Sequence, residues 1–360
     1  MGKSMQNKGP LFDVQKARLA IEKGRRSKWW QRLGTMKSGF RYVDTAGVRI
    51  SGDEHLERIR SLVIPPAWKH VRISPTAGSS LQVVGMDTTG RVQYRYHPRF
   101  SAKQQQKKFT RIEEFGKYLP KLREVTNEHI KLDGFPREKV LAVMMRLINS
   151  LYFRVGTEKS AKNYRTYGIT TLKNKHLQIG RKGELIFEFV GKSHVQHRKI
   201  LVDTELASIM KDLKLVGRAG KLFHYLNDEG KPRPVKPQEL NAYLKAATDT
   251  AFSVKDLRTW AGTLLAAAEL AETGKAETDA QLKKNIVNAV KKVAERLGNT
   301  PTVCRGSYIH PTVLTSYESG VTLDEFRPRR SLTIRRIESY DEPEEKALLK
   351  LLHSKPQTTF

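Results

Sequence analysis

The stretch PREKVLAVMMRLINSLYFRVG, residues 136–156, is the clearest helical pattern in the chain. Its apolar side chains recur every three or four positions, the spacing that places them on one face of an α-helix. Those positions are Val140, Leu141, Met144, Leu147, Ile148 and Leu151. Pro136 suits the first turn of a helix, and Gly156 suits its end. The pattern predicts a buried helix with Arg154 at its C-terminal end.

On the N-terminal side of this helix the sequence favours strands. Short β-branched and aromatic runs are separated by turn signals at Ala46-Gly47, Ala77-Gly78 and Thr89-Gly90. The runs are FRYVDTAGVRI (40–50), HVRISP (70–75), SLQVVGM (80–86) and RVQYRYH (91–97). They predict a small β-rich domain.

On the C-terminal side, ELIFEFV (184–190) alternates like a strand and ends in a turn at Gly191-Lys192-Ser193. After residue 201 the pattern is helical again to about residue 318, and ALLKLL (347–352) is a short amphipathic stretch near the end. The sequence predicts an α+β fold, with a β-rich N-terminal domain and a mostly helical C-terminal domain that carries a small β insert. The predicted divisions are a basic extension (1–37), the β-rich domain (38–105), the helical domain (106–320) and a helix or tail (321–360).

The charge balance points to a polyanionic partner. The chain has 66 Lys and Arg against 37 Asp and Glu, a formal net charge of +29. Cations spread along a chain bind phosphates and release counterions, which favours nucleic acid over the alternative of an anionic membrane. There is no apolar run of membrane-spanning length and no secretory signal pattern, and the single cysteine excludes a disulfide framework. We expect a cytoplasmic protein that binds no membrane.

Four residues could together cut a nucleic-acid strand without a metal ion. Such chemistry needs a nucleophile, arginines for the charge on the phosphate oxygens, and an acid for the leaving hydroxyl. Tyr308 could be the nucleophile, Arg154 and Arg258 the phosphate clamp, and Lys192 the acid. Each has a simpler alternative: a surface aromatic at a helix end, a helix-terminal arginine, a paired arginine at a helix border and a solvated turn lysine.

The sequence around these four residues resembles that of the poxvirus-like and bacterial small type IB DNA topoisomerases. The segments are YFRVG, FVGKS, VKDLRTW and LGNTPTVCRGSYIHP, with LVIPPAWKHVRISP and GMDTTGRVQYRYHPRF upstream. The resemblance covers about residues 38–318.

The resemblance implies a monomeric two-domain clamp around duplex DNA. In this interpretation Tyr308 forms a DNA-(3′-phosphotyrosyl) intermediate, the free strand rotates, and its 5′-hydroxyl reseals the break without ATP, metal or cofactor. Arg154 and Arg258 would clamp the phosphate, and Lys192 would protonate the leaving oxygen. Asn299 stands where many relatives carry a histidine, so it could donate a hydrogen bond but carry no charge. A bacterial member would associate with the nucleoid.

Further residues match segments that contact DNA in the family. Tyr94 and Tyr96 are two apart, so on a strand they would share one face; the alternative is that one packs in the core. Lys173 and Lys175 are candidates for phosphate contacts, or else belong to a solvated basic loop. His194 and His197 lack companions at metal-ligand spacing, so no metal site is predicted.

Three other functions remain as alternatives. A tyrosine recombinase uses the same kind of catalytic domain, but that family favours His-x-x-Arg where this chain has Lys255-Asp256-Leu257-Arg258. A non-enzymatic DNA-packaging protein would explain the charge but not the four candidate residues. A metal-dependent nuclease would need a carboxylate cluster, which the sequence does not indicate.

Overall fold

The computed structural model describes residues 14–217, 220–327 and 342–354. The chain divides into two compact units, and the division falls inside a long helix between Lys108 and Phe109. The first unit is built on a β-sheet and the second is mostly helical, which confirms the predicted α+β fold.

The first unit is a five-stranded antiparallel sheet with one helix on each face. Its elements are α1 (Val14–Ile21), β1 (Trp30–Thr35), β2 (Gly39–Val43), α2 (Asp53–Ser61), β3 (Lys69–Ile73), β4 (Leu81–Met86) and β5 (Val92–Tyr96), in the sheet order β2-β1-β3-β4-β5. Val83 and Val84 are neighbours on β4 and point to opposite faces. Val84 packs in a cluster with Ile21 of α1, and Val83 in another with Ile59 of α2. The two helices thus bury both faces of the sheet.

Strand β1 lies in the stretch that the sequence analysis assigns to a basic extension, residues 1–37. The strand pattern is hidden because Arg32, a charged residue, is buried in it. The Arg32 guanidinium donates hydrogen bonds to the carbonyls of Pro65 (3.1 Å) and Trp68 (2.7 Å) and stacks on the Phe40 ring. These backbone acceptors satisfy the buried cation, and no residue pattern reveals them beforehand.

The second unit surrounds one large hydrophobic core. Its helices are α3 (Pro98–Ile130, which begins in the first unit), α4 (Arg137–Leu151), α5 (Glu158–Tyr164), α6 (Thr204–Val216), α7 (Pro237–Thr248), α8 (Val254–Thr273), α9 (Asp279–Leu297), α10 (Pro301–Ser307), α11 (Pro311–Glu318) and α12 (Glu342–His353). A three-stranded sheet contains β6 (Leu177–Ile179), β7 (Glu184–Val190) and β8 (Gln196–Val202), and a hairpin contains β9 (His224–Leu226) and β10 (Pro232–Pro234). No helix among the described residues is long and apolar enough to cross a membrane.

Helix α4 is the helix predicted from residues 136–156, and all six of its periodic apolar side chains are buried. It ends earlier than predicted, at Leu151, because Tyr152 takes a left-handed conformation with φ 57°. Gly156 serves another purpose. A Cβ there would lie 2.9 Å from the backbone nitrogen of Gly168, so two chain segments meet closely at this glycine. Arg154 is therefore on an irregular segment beyond the helix, not at its last turn.

Candidate active site

The C-terminus of α9 is the centre of the candidate site. Gly298 ends the helix in the left-handed conformation, with φ 62°, and its N–H bonds back to Glu295. The Asn299 N–H donates to the carbonyl of Ala294 at 2.9 Å. The last carbonyls of a helix have no partner within the helix and carry the negative end of its dipole. They can therefore accept hydrogen bonds from cations.

Arg154 donates to two groups in this loop. Its Nη2 lies 2.7 Å from the carbonyl oxygen of Gly298 and also hydrogen-bonds the side-chain oxygen of Asn299. The Arg154 backbone is fixed as well, because its carbonyl accepts from the N–H of Ile169 at 2.8 Å. Burial lowers the pKa of Arg154, and the nearby Tyr308 opposes that shift.

Arg258 reaches the same helix end from α8. It is only 4% exposed, and it donates to the carbonyl of Leu297 at 2.8 Å and to the carbonyl of Tyr152. Burial, followed by the charge of Arg154, lowers its pKa, while a hydrogen bond to Tyr308 acts in the opposite direction. An arginine keeps its charge under such shifts. Arg258 and Arg154 thus form one cationic pair, in which Arg258 is buried and Arg154 is half-buried.

Tyr308 is positioned by α8 and α10. The Thr300 side chain caps α10 by accepting from the N–H of Val303, and Tyr308 follows the last residue of that helix. The Tyr308 carbonyl lies 3.3 Å from the hydroxyl of Thr263, and its backbone passes so close to Gly262 that a Cβ there would be 2.5 Å from the carbonyl oxygen. The phenol ring lies 5.4 Å from the guanidinium carbon of Arg258. The structure therefore brings Tyr308 together with the arginines.

Asn299 completes the group. A guanidinium can only donate, so the Asn299 atom that faces Arg154 is its oxygen, and the amide nitrogen points elsewhere. That Nδ2 atom is buried and has no hydrogen-bond partner within the described ranges, and the same is true of Nε of Arg258. Two buried donors at one site are suited to an incoming anionic oxygen.

Lys192 is not brought into this group. It is exposed on a short 3₁₀ turn, Lys192–His194, between β7 and β8. Within the described part of the chain it makes no ion pair or side-chain hydrogen bond, so its assignment as the acid remains a prediction.

Sequence reasoning missed two residues on β8. His197 and Lys199 alternate with exposed neighbours, and they stand opposite Phe189 and Phe187 of β7. The His197 ring stacks on Phe189 at 5.1 Å, and burial followed by nearby cations lowers its pKa to about 4. The period of two along HRK (197–199) is the signal that could have placed both side chains on the inner face.

The four residues predicted to contact DNA are exposed, and they are distant in sequence from the residues at the end of α9. Tyr94 and Tyr96 are 44% and 48% exposed on β5, and their rings stack with centroids 6.3 Å apart, so neither packs in the core. Lys173 and Lys175 are exposed beside the short turn before β6. Among the described residues, no three His, Cys, Asp or Glu side chains group as metal ligands. Contact of these four residues with DNA stays a prediction.

Comparisons with known proteins identify the family. The model of the eukaryotic DNA topoisomerase I catalytic core matches residues 97–326, and that of the bacterial DNA topoisomerase IB N-terminal domain matches residues 39–87. DNA topoisomerase 1B of Acanthamoeba polyphaga mimivirus is 32% identical over 73% of this chain and 80% of its own length. DNA topoisomerase 1B of vaccinia virus (strain Copenhagen) is 27% identical over 68% of this chain and 77% of its own. These matches do not favour a tyrosine recombinase, and the chain belongs to the type IB DNA topoisomerases.

Proposed function

We propose that Tyr308 is the nucleophile of this topoisomerase and that Arg154 and Arg258 clamp the scissile phosphate. The observation that carries the proposal is the α9 C-terminus, where carbonyls of consecutive residues hold both arginines. The Tyr308 ring lies beside one of them. Two fixed guanidiniums are suited to the negative charge that develops on a phosphate under attack.

In this mechanism the Tyr308 hydroxyl gives up its proton to water, its oxygen forms a bond to phosphorus, and the bond from phosphorus to the 5′-oxygen of the next nucleotide breaks. The product is a DNA-(3′-phosphotyrosyl) linkage and a free 5′-hydroxyl strand, which rotates and then attacks the same phosphorus to release Tyr308. Because the linkage conserves the energy of the phosphodiester, the cycle needs neither ATP nor a metal ion. Asn299 Nδ2 and Arg258 Nε are buried donors that a phosphate oxygen could satisfy.

The leaving 5′-oxygen needs a proton, and we assign its donor as Lys192. The assignment rests on the match of FVGKS to the family pattern. Its exposed turn contains two non-glycine residues with positive φ, Ser193 (62°) and His194 (59°). A strained, exposed turn can be rebuilt when substrate arrives, which would bring the ammonium to the phosphate.

Duplex DNA is the partner of the family. We propose further that the protein is a monomer whose two units close around the duplex, that Tyr94, Tyr96, Lys173 and Lys175 contact DNA, and that it acts in the cytoplasm, on the nucleoid in a bacterial cell. The formal net charge of +29 supports binding along the DNA backbone.

The test is relaxation of negatively supercoiled plasmid in EDTA without ATP. The parent should relax the plasmid and form a covalent adduct on the 3′ side of the nick, and Tyr308→Phe should do neither. Tyr118→Phe is the control, because Tyr118 is a half-buried tyrosine of the same unit whose ring packs on Phe252. Relaxation that persists in Tyr308→Phe would overturn the assignment.

A further inference from the structure

Three cations, and not two, are bound by the end of α9. The carbonyls of three consecutive residues each accept from a different side chain: Arg296 from Lys199 at 3.3 Å, Leu297 from Arg258 at 2.8 Å, and Gly298 from Arg154 at 2.7 Å. The two arginines already have a proposed role at the phosphate. Lys199 has none.

Lys199 and Arg154 line the same small cavity beside the end of α9. Tyr152, His197 and Leu297 line it as well. The neighbouring residue on β8, Arg198, lies on the opposite face and pairs with Glu188 across the sheet at 3.1 Å. The strand thus places one cation inside the site and the next one outside it.

The surroundings of Lys199 favour an anion. Burial, then the charges of Arg258 and Arg154, lower the pKa of its ammonium to about 8. Among the described residues no carboxylate forms an ion pair with it. Its partner is a neutral carbonyl, which accepts a hydrogen bond but does not cancel charge. A phosphodiester bound at Arg154 and Arg258 would offset the repulsion among the three cations.

We propose that Lys199 is a third cation that binds the scissile phosphate beside Arg154 and Arg258, and that its ammonium donates a hydrogen bond to a non-bridging oxygen. The inference rests on the proposed function, in which Arg154 and Arg258 bind that same phosphate. It leaves Lys192 as the proton donor, because a contact to a non-bridging oxygen stabilises charge without transferring a proton.

The experiment compares two kinds of DNA in single-turnover cleavage, at a site first mapped with the parent protein. One duplex has the normal scissile phosphodiester. The others have a methylphosphonate at that position, and each diastereomer lacks one of the two non-bridging oxygens. Lys199→Met removes the ammonium and keeps an unbranched apolar chain, and Arg198→Met is the matched control on the outer face of the strand.

We expect Lys199→Met to cleave the phosphodiester about 100-fold more slowly than the parent, as for other donors to a developing anion. Arg198→Met should cleave at the parent rate. On the diastereomer that lacks the contacted oxygen, parent and Lys199→Met should cleave at nearly equal rates. A loss of folded protein would slow both substrates alike, so it cancels in the ratio of the two rates.

Two outcomes would overturn the inference. The first is a phosphodiester rate for Lys199→Met equal to that of Arg198→Met. The second is the same loss on the phosphodiester and on both diastereomers, which would mean that Lys199 only positions the end of α9. Failure of the proposed function is recognised separately, because then the parent forms no adduct or Tyr308→Phe still forms one.

Discussion

Substitution of Gly298 by alanine tests whether the end of α9 positions the arginine clamp. Gly298 has φ 62°, and its carbonyl accepts from Arg154. A Cβ at this position would overlap the ring of His197. That ring stacks on Phe189, so it cannot turn away without losing the contact. We therefore expect Gly298→Ala to displace the carbonyl that holds Arg154.

Gly134 provides the matched control, because its φ is 61° and a Cβ there would meet no atom within 4 Å. Alanine in the left-handed region costs about 1 kcal/mol at either position. For a unit of this size that corresponds to a fall in melting temperature of about 2–4 °C. A displacement of about 1 Å in a catalytic group can reduce the rate by about 100-fold. Only Gly298→Ala should show that second effect.

The assay is single-turnover formation of the covalent adduct, with a thermal melt of each variant. Gly298→Ala should cleave about 100-fold more slowly than Gly134→Ala, and it should also melt at a lower temperature because its Cβ displaces the His197 ring. Truncation of His197 in the double variant His197→Ala/Gly298→Ala makes room for the new Cβ and should recover part of the rate. Equal cleavage by Gly298→Ala and Gly134→Ala would refute the reasoning.

Two further predictions concern the support of the site. Thr263→Val removes the hydroxyl that accepts from the backbone N–H of His310 at 3.1 Å. We expect the variant to form the adduct more slowly, to bind DNA as the parent does, and to lose about 1–3 kcal/mol of folding stability. The control Thr273→Val, at an exposed helix position, should change neither the rate of adduct formation nor the stability. Burial, followed by the charges of Lys199, Arg154 and Arg258, lowers the pKa of His197 to about 4. Between about pH 4 and 6.5, His197 is therefore protonated in the unfolded chain but neutral in the folded protein, so the folding stability falls as the pH falls. The melting temperature should drop less from pH 7 to pH 5 in His197→Gln than in the parent. In the control His194→Gln, at an exposed position, the drop should equal that of the parent. Equal drops in all three proteins would contradict the role of His197.

The parts of the fold that follow hydrophobic periodicity could be predicted. Helix α4 is recognisable from six apolar positions, and ALLKLL marks α12. The β9–β10 hairpin could not be predicted, because its strands are three residues each and β10 contains two prolines. Such short strands carry no periodic signal, and prolines argue against a strand.

The site was predictable only as a set of residues, not as an arrangement. Arg154, Arg258, Asn299 and Tyr308 stand in a recognisable family context, and the structure brings them together. Apart from Tyr308, three of the four groups that accept hydrogen bonds from the two arginines are backbone carbonyls, and two of these lie at the end of α9. Every residue has a backbone carbonyl, so the residue types along the sequence do not indicate which carbonyls will bind a cation. Lys199 escaped notice for the same reason, because its partner is the carbonyl of Arg296.

The choice of carbonyls over carboxylates has a chemical consequence. Elsewhere in the second unit, arginines pair with acids: Arg111 with Asp256 at 2.6 Å, and Arg137 with Glu239 at 2.9 Å. A carboxylate partner fixes an arginine but also neutralises it, and a phosphate would then have to compete for the guanidinium. Carbonyls fix the guanidiniums of the site through neutral dipoles and leave their positive charge for the substrate. Because a buried cation without a counter-ion is unfavourable, the proposed mechanism predicts that the site gains most when a phosphate binds to guanidiniums that are already in position.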